Sequence, residues 1–300
     1  MRKHGLFIGM VTLDLIYLVE QMPNCNQKIA ALNSAIAAGG PATNAAIAFS
    51  HLGNDATLLG AVGAHPISHL ILADLQQCGV TIADLDPTRS DSPPVSSILV
   101  TQSTGERAVI AMNAVKSHGD AILPSLEGVD IVLIDGHQLE ASVAIAQQAK
   151  QRGIPIVIDG GSWKVGFDGA LPWVDYAICS ANFYPPACHS SEQVFDYLSR
   201  WGIDRIAITR GGRSIEVFNS GVRTQIEVPN VQVVDTLGAG DIFHGAFCRF
   251  ILQTDFLSAL SEAAKVAADS CQCFGTREWM LGSCSRRVDS AILEVRFQSG

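Results

Sequence analysis

The chain has 300 residues, 48% of them hydrophobic, and a net charge of −9. That length and apolar content suit one large domain with a well-buried core and argue against disorder. Twenty Lys and Arg against 29 Asp and Glu exclude sequence-independent nucleic-acid binding, which needs a basic surface.

The N-terminus carries two basic residues, but Asp14 breaks its apolar run and no cleavage site follows. No segment has the apolar length of a membrane span, so a soluble, cytoplasmic protein is expected. Residues 5–10 read as a strand, 41–52 as a helix, 56–62 as a strand and 67–78 as a helix. Strand then helix recurs at 129–135 and 139–151. Strands follow at 154–159 and 176–180, then a helix at 192–201 and a strand at 205–209. The run 231–234 has strand character, and helices are predicted over 239–252, 257–273 and 288–297. The apolar runs IVLID, IPIVID and RIAIT read as strands buried on both faces; with the intervening helices they predict a parallel α/β sheet.

Two regions break the alternation. Residues 13–20 and 29–37 read as strands with no long helix between them, and 95–102 and 106–112 as a hairpin around Ser103-Thr104-Gly105. The expected division is a core of 1–12, 38–93 and 114–300 and a small sheet of 13–37 and 94–113. Eight cysteines are scattered with no Cys-x-x-Cys pair, which reads as free thiols rather than a zinc site.

Asp235-Thr236-Leu237-Gly238-Ala239-Gly240-Asp241 carries the most chemistry. Gly238, Ala239 and Gly240 open a helix where free N–H groups and the helix dipole can receive a phosphate. Asp241 falls in the first turn, beside that anion. A cradle for developing charge and a carboxylate for the proton suit phosphoryl transfer to a hydroxyl. An ordinary carboxylate pKa of about 3.9 is expected for Asp241.

In Gly39-Gly40-Pro41-Ala42-Thr43-Asn44, a glycine pair precedes a helix that projects Asn44, an amide with both donors and acceptors. Asp14, between Leu13 and Leu15, needs partners; it is either a surface carboxylate at a strand crossing or an acceptor for vicinal ligand hydroxyls. Lys28 either faces solvent or meets an anionic substituent. Asp135-Gly136-His137 and Asp159-Gly160-Gly161 end apolar strands, where ligands gather in α/β sheets. His137 reads as a ligand contact or a capping histidine, and Thr209-Arg210-Gly211-Gly212 as a nucleotide-lining loop or a simple turn. A dinucleotide fingerprint and a Walker A loop are absent, so any nucleotide must use the cradle at 238–241.

Asp235-Thr-x-Gly-Ala-Gly-Asp241-x-x-x-Gly-Ala and the Gly39-Gly40…Asn44 block resemble the two signatures of the ribokinase-like (PfkB) sugar kinases, in the expected order and near the expected ends. The overall look is most like the ketohexokinase and sulfofructose kinase members. The resemblance implies a three-layer α/β core with a β-sheet lid that often also forms a dimer. It implies Asp241 as catalytic base and Gly238, Ala239 and Gly240 as anion hole. Asp14, Gly39, Gly40, Asn44 and His137 would hold the sugar, and Asn182, Thr209, Gly211 and Gly275 the ATP. Asp235 would lie at a monovalent-cation (K⁺) site. Many members have Asn-x-x-Glu, whose acid helps organise Mg²⁺; here Asn182 is kept and Pro185 replaces the acid. The implied activity is ATP-dependent phosphorylation of a small sugar, with a ketohexose such as fructose first and an anionic ketose or sugar phosphate second. A nucleoside kinase and a sensor without useful turnover fit the same fold.

Overall fold

The computed structural model describes residues 2–112 and 122–282; the helix expected at 288–297 lies outside them. In chain order the elements are β1 (His4–Ile8), β2 (Thr12–Val19), β3 (Asn33–Gly39), α1 (Pro41–His51), β4 (Asp55–Gly60), α2 (Ser68–Gln77) and β5 (Val80–Asp84). Then come β6 (Val95–Thr101), β7 (Arg107–Ala111), β8 (Ile131–Ile134), α3 (Leu139–Gln151), β9 (Ile156–Gly160) and β10 (Tyr176–Ser180). The last are α4 (Ser191–Ser199), β11 (Arg205–Arg210), β12 (Arg213–Asn219), β13 (Val222–Ile226), α5 (Ala239–Ile251) and α6 (Phe256–Ser270).

Apolar runs with no polar face must be covered twice, and here they are. A nine-stranded sheet runs β13-β12-β11-β10-β9-β8-β1-β4-β5. Alternate side chains of one strand enter different cores. Phe7, Leu133 and Val157 join α1, α2, α5 and α6, while Leu6, Ile8 and Ile134 join α3 and α4. The strands from β11 to β5 are parallel, but β12 and β13 are antiparallel at the edge. The expected parallel sheet holds from β11 to β5, and β12 and β13, which carry Arg213, Glu216 and Arg223, extend it in the antiparallel sense. The predicted strand at 231–234 does not form. Its valines are partly exposed, and Val231 and Val233 line a cavity instead of joining a ladder.

The second sheet has four strands in the order β3-β2-β6-β7. One face buries Ile16, Ile98 and Val100 on Phe274, with Val234 and Leu237 at its margin. Leu32, Ile36, Val109, Ile110 and Met112 stay exposed. Among the described residues no helix is long and apolar enough to cross a membrane. Six cysteines are free thiols, as expected, but Cys273 is disulfide-bonded, which corrects the reading of all eight as thiols.

Candidate active site

Helices α1 and α5 pack through small residues. A Cβ on Gly245 would stand 2.2 Å from the Ala45 carbonyl oxygen, so only glycine lets the two backbones meet. That contact brings Asn44 and Asp241, 197 residues apart, together: Asn44 Nδ2 donates to Asp241 Oδ2 at 2.9 Å. Burial, followed by the nearby charge of Asp159, pushes the Asp241 carboxyl up to about 7, against partial relief from the Asn44 bond. The expectation of an ordinary carboxylate pKa is thereby corrected. The sequence shows Asp241 beside small residues; it does not show that Asp159 and Asp135 converge on it.

Gly238 caps α5 with φ 71°, and a Cβ there would press on Thr276. The first-turn N–H groups of Gly240 and Asp241 have no acceptor within the helix, while Ala239 N donates to Thr236 O at 3.3 Å. Gly240 has open space where its Cβ would be. That space is a cavity of about 530 Å³, lined by Asn182, Thr209, Gly211, Gly240, Phe243 and Cys271. Arg107, from β7 of the small sheet, also lines it and donates to the Thr236 hydroxyl. Gly275 is placed elsewhere: its N–H donates to Asp235 Oδ2 at 2.9 Å, and Leu237 N donates to Oδ1 at 2.8 Å. Asp235 therefore clasps the loop before α5 to the end of α6, and burial raises its pKa.

On the other side of Asp241, Asp14 is buried in β2, and desolvation pushes its carboxyl up to about 6 despite the Ser96 hydroxyl and the Arg277 charge. The glycine pair serves the protein itself. A Cβ on Gly39 would lie 2.0 Å from Asp14 Oδ2, and Gly40, at φ 105°, leaves room for the Met10 carbonyl. Asp135 accepts from Met10 N, Ala42 N and His137 N at 2.9, 3.2 and 2.8 Å, fixing the floor on which these loops meet. Burial lowers the His137 pKa, disfavouring its charged form. Lys28 is exposed.

Three further groups around the site escaped the sequence reading. Lys164 Nζ donates to Asp135 O at 3.1 Å. His244 lies 3.4 Å from Asp159 Oδ2, behind Asp241. Arg277 reaches Asn44, Ala38 and Asp74. A cation just after Gly275 was the available signal for Arg277, but nothing in the sequence says which elements it faces.

A half-buried carboxylate in the first turn of a helix whose N-terminus opens on a large cavity suits phosphoryl transfer. Residues 3–281 match the model of the pfkB family carbohydrate kinases. The chain belongs to that family. It is accordingly a phosphotransferase whose acceptor is an alcohol group. A ribokinase of Lactococcus lactis is 26% identical over 290 residues, covering 91% of this chain and 92% of its own. The crystal structure of a putative ribokinase from Agrobacterium tumefaciens superposes with a TM-score of 0.82 at 26% identity, covering 96% of this chain and 99% of its own. Arabidopsis thaliana ribokinase, solved with ribose and ATP, gives a TM-score of 0.75 at 20% identity, covering 95% and 99%. The fold is thus ribokinase-like, with a large central sheet and a second, smaller one.

Among the described residues no group of three or more His, Cys, Asp or Glu side chains could hold a metal ion. Asp159 Oδ2 is buried without a hydrogen-bond partner. A Mg²⁺ carried by nucleotide phosphates would fit this donor set, since it would need no three-ligand protein site.

Proposed function

We propose that the chain phosphorylates a neutral monosaccharide with ATP, Asp241 taking the proton of the attacking hydroxyl. The observation that carries this is the Asn44–Asp241 pair at the mouth of a cradle facing the 530 Å³ cavity. In this reading the cavity holds the nucleotide between Asn182, Thr209 and Gly211, and the Gly240 and Asp241 N–H groups receive developing charge. Asp14, Gly39, Gly40, Asn44 and His137 surround the sugar beneath the small sheet, which serves as its lid. Mg²⁺ supplies charge neutralisation at the phosphates. A monovalent cation beside Asp235 belongs to the same reading, though each carboxylate oxygen already accepts an N–H; exchanging K⁺ for Na⁺ in the assay tests it. The reaction is placed in the cytoplasm, where ATP is available.

Neutral acceptors are favoured because, among the described residues, the basic candidates near Asp14 are engaged by protein acceptors or turned away. Arg107 turns to Thr236 and the nucleotide cavity, Lys28 is exposed, and the Nη groups of Arg277 are engaged by protein acceptors. A ketohexose such as fructose is the first acceptor proposed; the relatives named ribokinase favour ribose as the second. ADP release across a panel of pentoses, ketohexoses, anionic ketoses and nucleosides tests the reading. A tenfold preference for an anionic sugar, about 1.4 kcal/mol in transition-state binding, would reverse it, and activity confined to nucleosides would end it.

The acid limb of kcat/KM follows from two raised carboxyls. As pH falls, Asp241 gains a proton near 7 and Asp14 near 6, and each must be ionised to act. The log profile should climb with a slope approaching two below about pH 6 and one between about 6 and 7, then level off. A plateau extending down to pH 5 would remove both roles.

The exposed apolar face of the lid, where Ile36 and Ile110 stand in register across Leu15 and Ser97, is proposed as a homodimer surface. Sedimentation at micromolar concentration should give a dimer, and Ile110→Asp a monomer. A monomeric parent protein would refute this.

A further inference from the structure

Asn44 and Arg277 form a relay whose direction is fixed by chemistry. An asparagine amide has two ends of equal shape, one an acceptor and the other a donor. A guanidinium only donates. Arg277 Nη1 stands 3.1 Å from one end of the Asn44 amide, so that end must be Oδ1. The opposite end is then Nδ2, which donates to Asp241 Oδ2 at 2.9 Å.

Arg277 is itself held. Its Nη2 donates to Ala38 O at 2.6 Å and to Asp74 Oδ2 at 2.9 Å, and its Nη1 reaches Thr276 Oγ1 at 3.0 Å and Thr276 O at 3.2 Å. Asp74 Oδ2 also accepts from Ala38 N at 2.8 Å, so the anchor is tied to β3. A carboxylate on α2, a guanidinium beyond α6, an amide on α1 and the Asp241 carboxylate on α5 thus stand in one line.

We propose that Arg277 is a positioning residue: it sets the polarity of the Asn44 amide so that this amide always offers Asp241 a donor. The proposal rests on the reading of Asp241 as the base. With the amide reversed, Oδ1 would face Asp241, and only a protonated Asp241 could satisfy it. The reversed relay would therefore store the proton that the base must be free to accept. Asp159 on β9, Asp135 just after β8 and His244 on α5 also act on Asp241. Asp159 and Asp135 both favour its protonation, so the Asn44 donor opposes them.

The test is the pH dependence of Arg277→Met, with Arg277→Gln as a second variant. Glutamine can present either an oxygen or a nitrogen, so it imposes no polarity on Asn44. In either variant the acid-limb midpoint of kcat/KM should rise by about one unit, the scale of one lost hydrogen bond to the charged form. Activity should then fall about fivefold at pH 7 and return near the parent value at pH 9. The ¹³C titration of the Asp241 carboxyl, assigned with Asp241→Asn, should move by the same amount. In an Asn44→Ala background, Arg277→Met should add no further displacement of the Asp241 titration. A profile lowered equally at every pH, or an unmoved Asp241 titration in a folded variant, overturns the proposal. Near-parent turnover in Asp241→Asn instead overturns the base reading beneath it, so the two failures are told apart.

Discussion

Asp241→Asn is expected to reduce kcat by about 10²- to 10⁴-fold, the range for a positioned general base. Nucleotide affinity should stay close to that of the parent protein. The loss follows because an amide cannot take the hydroxyl proton; the retention follows because the cradle is backbone and Gly240 faces open space. The same substitution should leave the fold intact or strengthen it. Burial and the charge of Asp159 hold the Asp241 carboxyl near 7, above its unfolded value, so the folded state resists its ionisation. That stability is fully present below the unfolded pKa and is lost as pH rises through about 7. The melting temperature of Asp241→Asn should therefore gain on the parent as pH rises from about 4 to about 7 and hold its lead above. Turnover assays, nucleotide titration and melting curves at three pH values check all of this. Near-normal turnover in a folded variant would remove Asp241 from the chemistry.

Gly245→Ala is expected to damage both stability and turnover, although it adds one methyl group. Alanine favours a helix over glycine by about 1 kcal/mol, which works in the variant's favour. Against it, the new Cβ would lie 2.2 Å from the Ala45 carbonyl oxygen and 2.9 Å from the Ala48 Cβ. Backbone cannot swing aside as a flexible side chain does, so α1 and α5 must separate. Overpacking of this kind costs about 1–3 kcal/mol, enough to outweigh the propensity gain. Asn44 adjoins Ala45, and Asp241 lies one turn before Gly245, so the separation falls on the pair that holds the base. Misplacement by about 1 Å can cost about 10²-fold in rate. Melting temperature and kcat should both fall, whereas nucleotide binding near Asn182 and Thr209 should change less. An unchanged kcat would mean that the helices relax without disturbing Asn44.

Much of the frame was legible because the period and the burial of the residues agree. IVLI at 131–134 and IVID at 156–159 have no polar face, and the sheet covers both sides of each. The misread segments carry apolar residues for another reason. Val231 and Val233 line a cavity instead, where apolar side chains stand without a strand partner. Charged β12 and β13 hide a strand pattern that survives because an edge needs cover on fewer sides. At the site, the glycines and Asp241 were legible because small residues and one acid stand together in sequence. Arg277, Asp74 and His244 were not: their roles arise from elements more than 60 residues apart meeting in space.

Arg107 belongs to two places at once: it rides on the four-stranded sheet and forms part of the wall of the cavity beside Gly240. Gly105, at the turn before it, lies against Val233 and Val234. In the proposed reading, a sugar that draws this sheet down also completes the nucleotide's enclosure, and a nucleotide that holds Arg107 also holds the sheet. The two affinities are then linked by one free energy, and thermodynamic reciprocity requires each ligand to tighten the other by the same factor. Order of addition becomes a property of rates alone, because the cycle closes on the same ternary complex from either side.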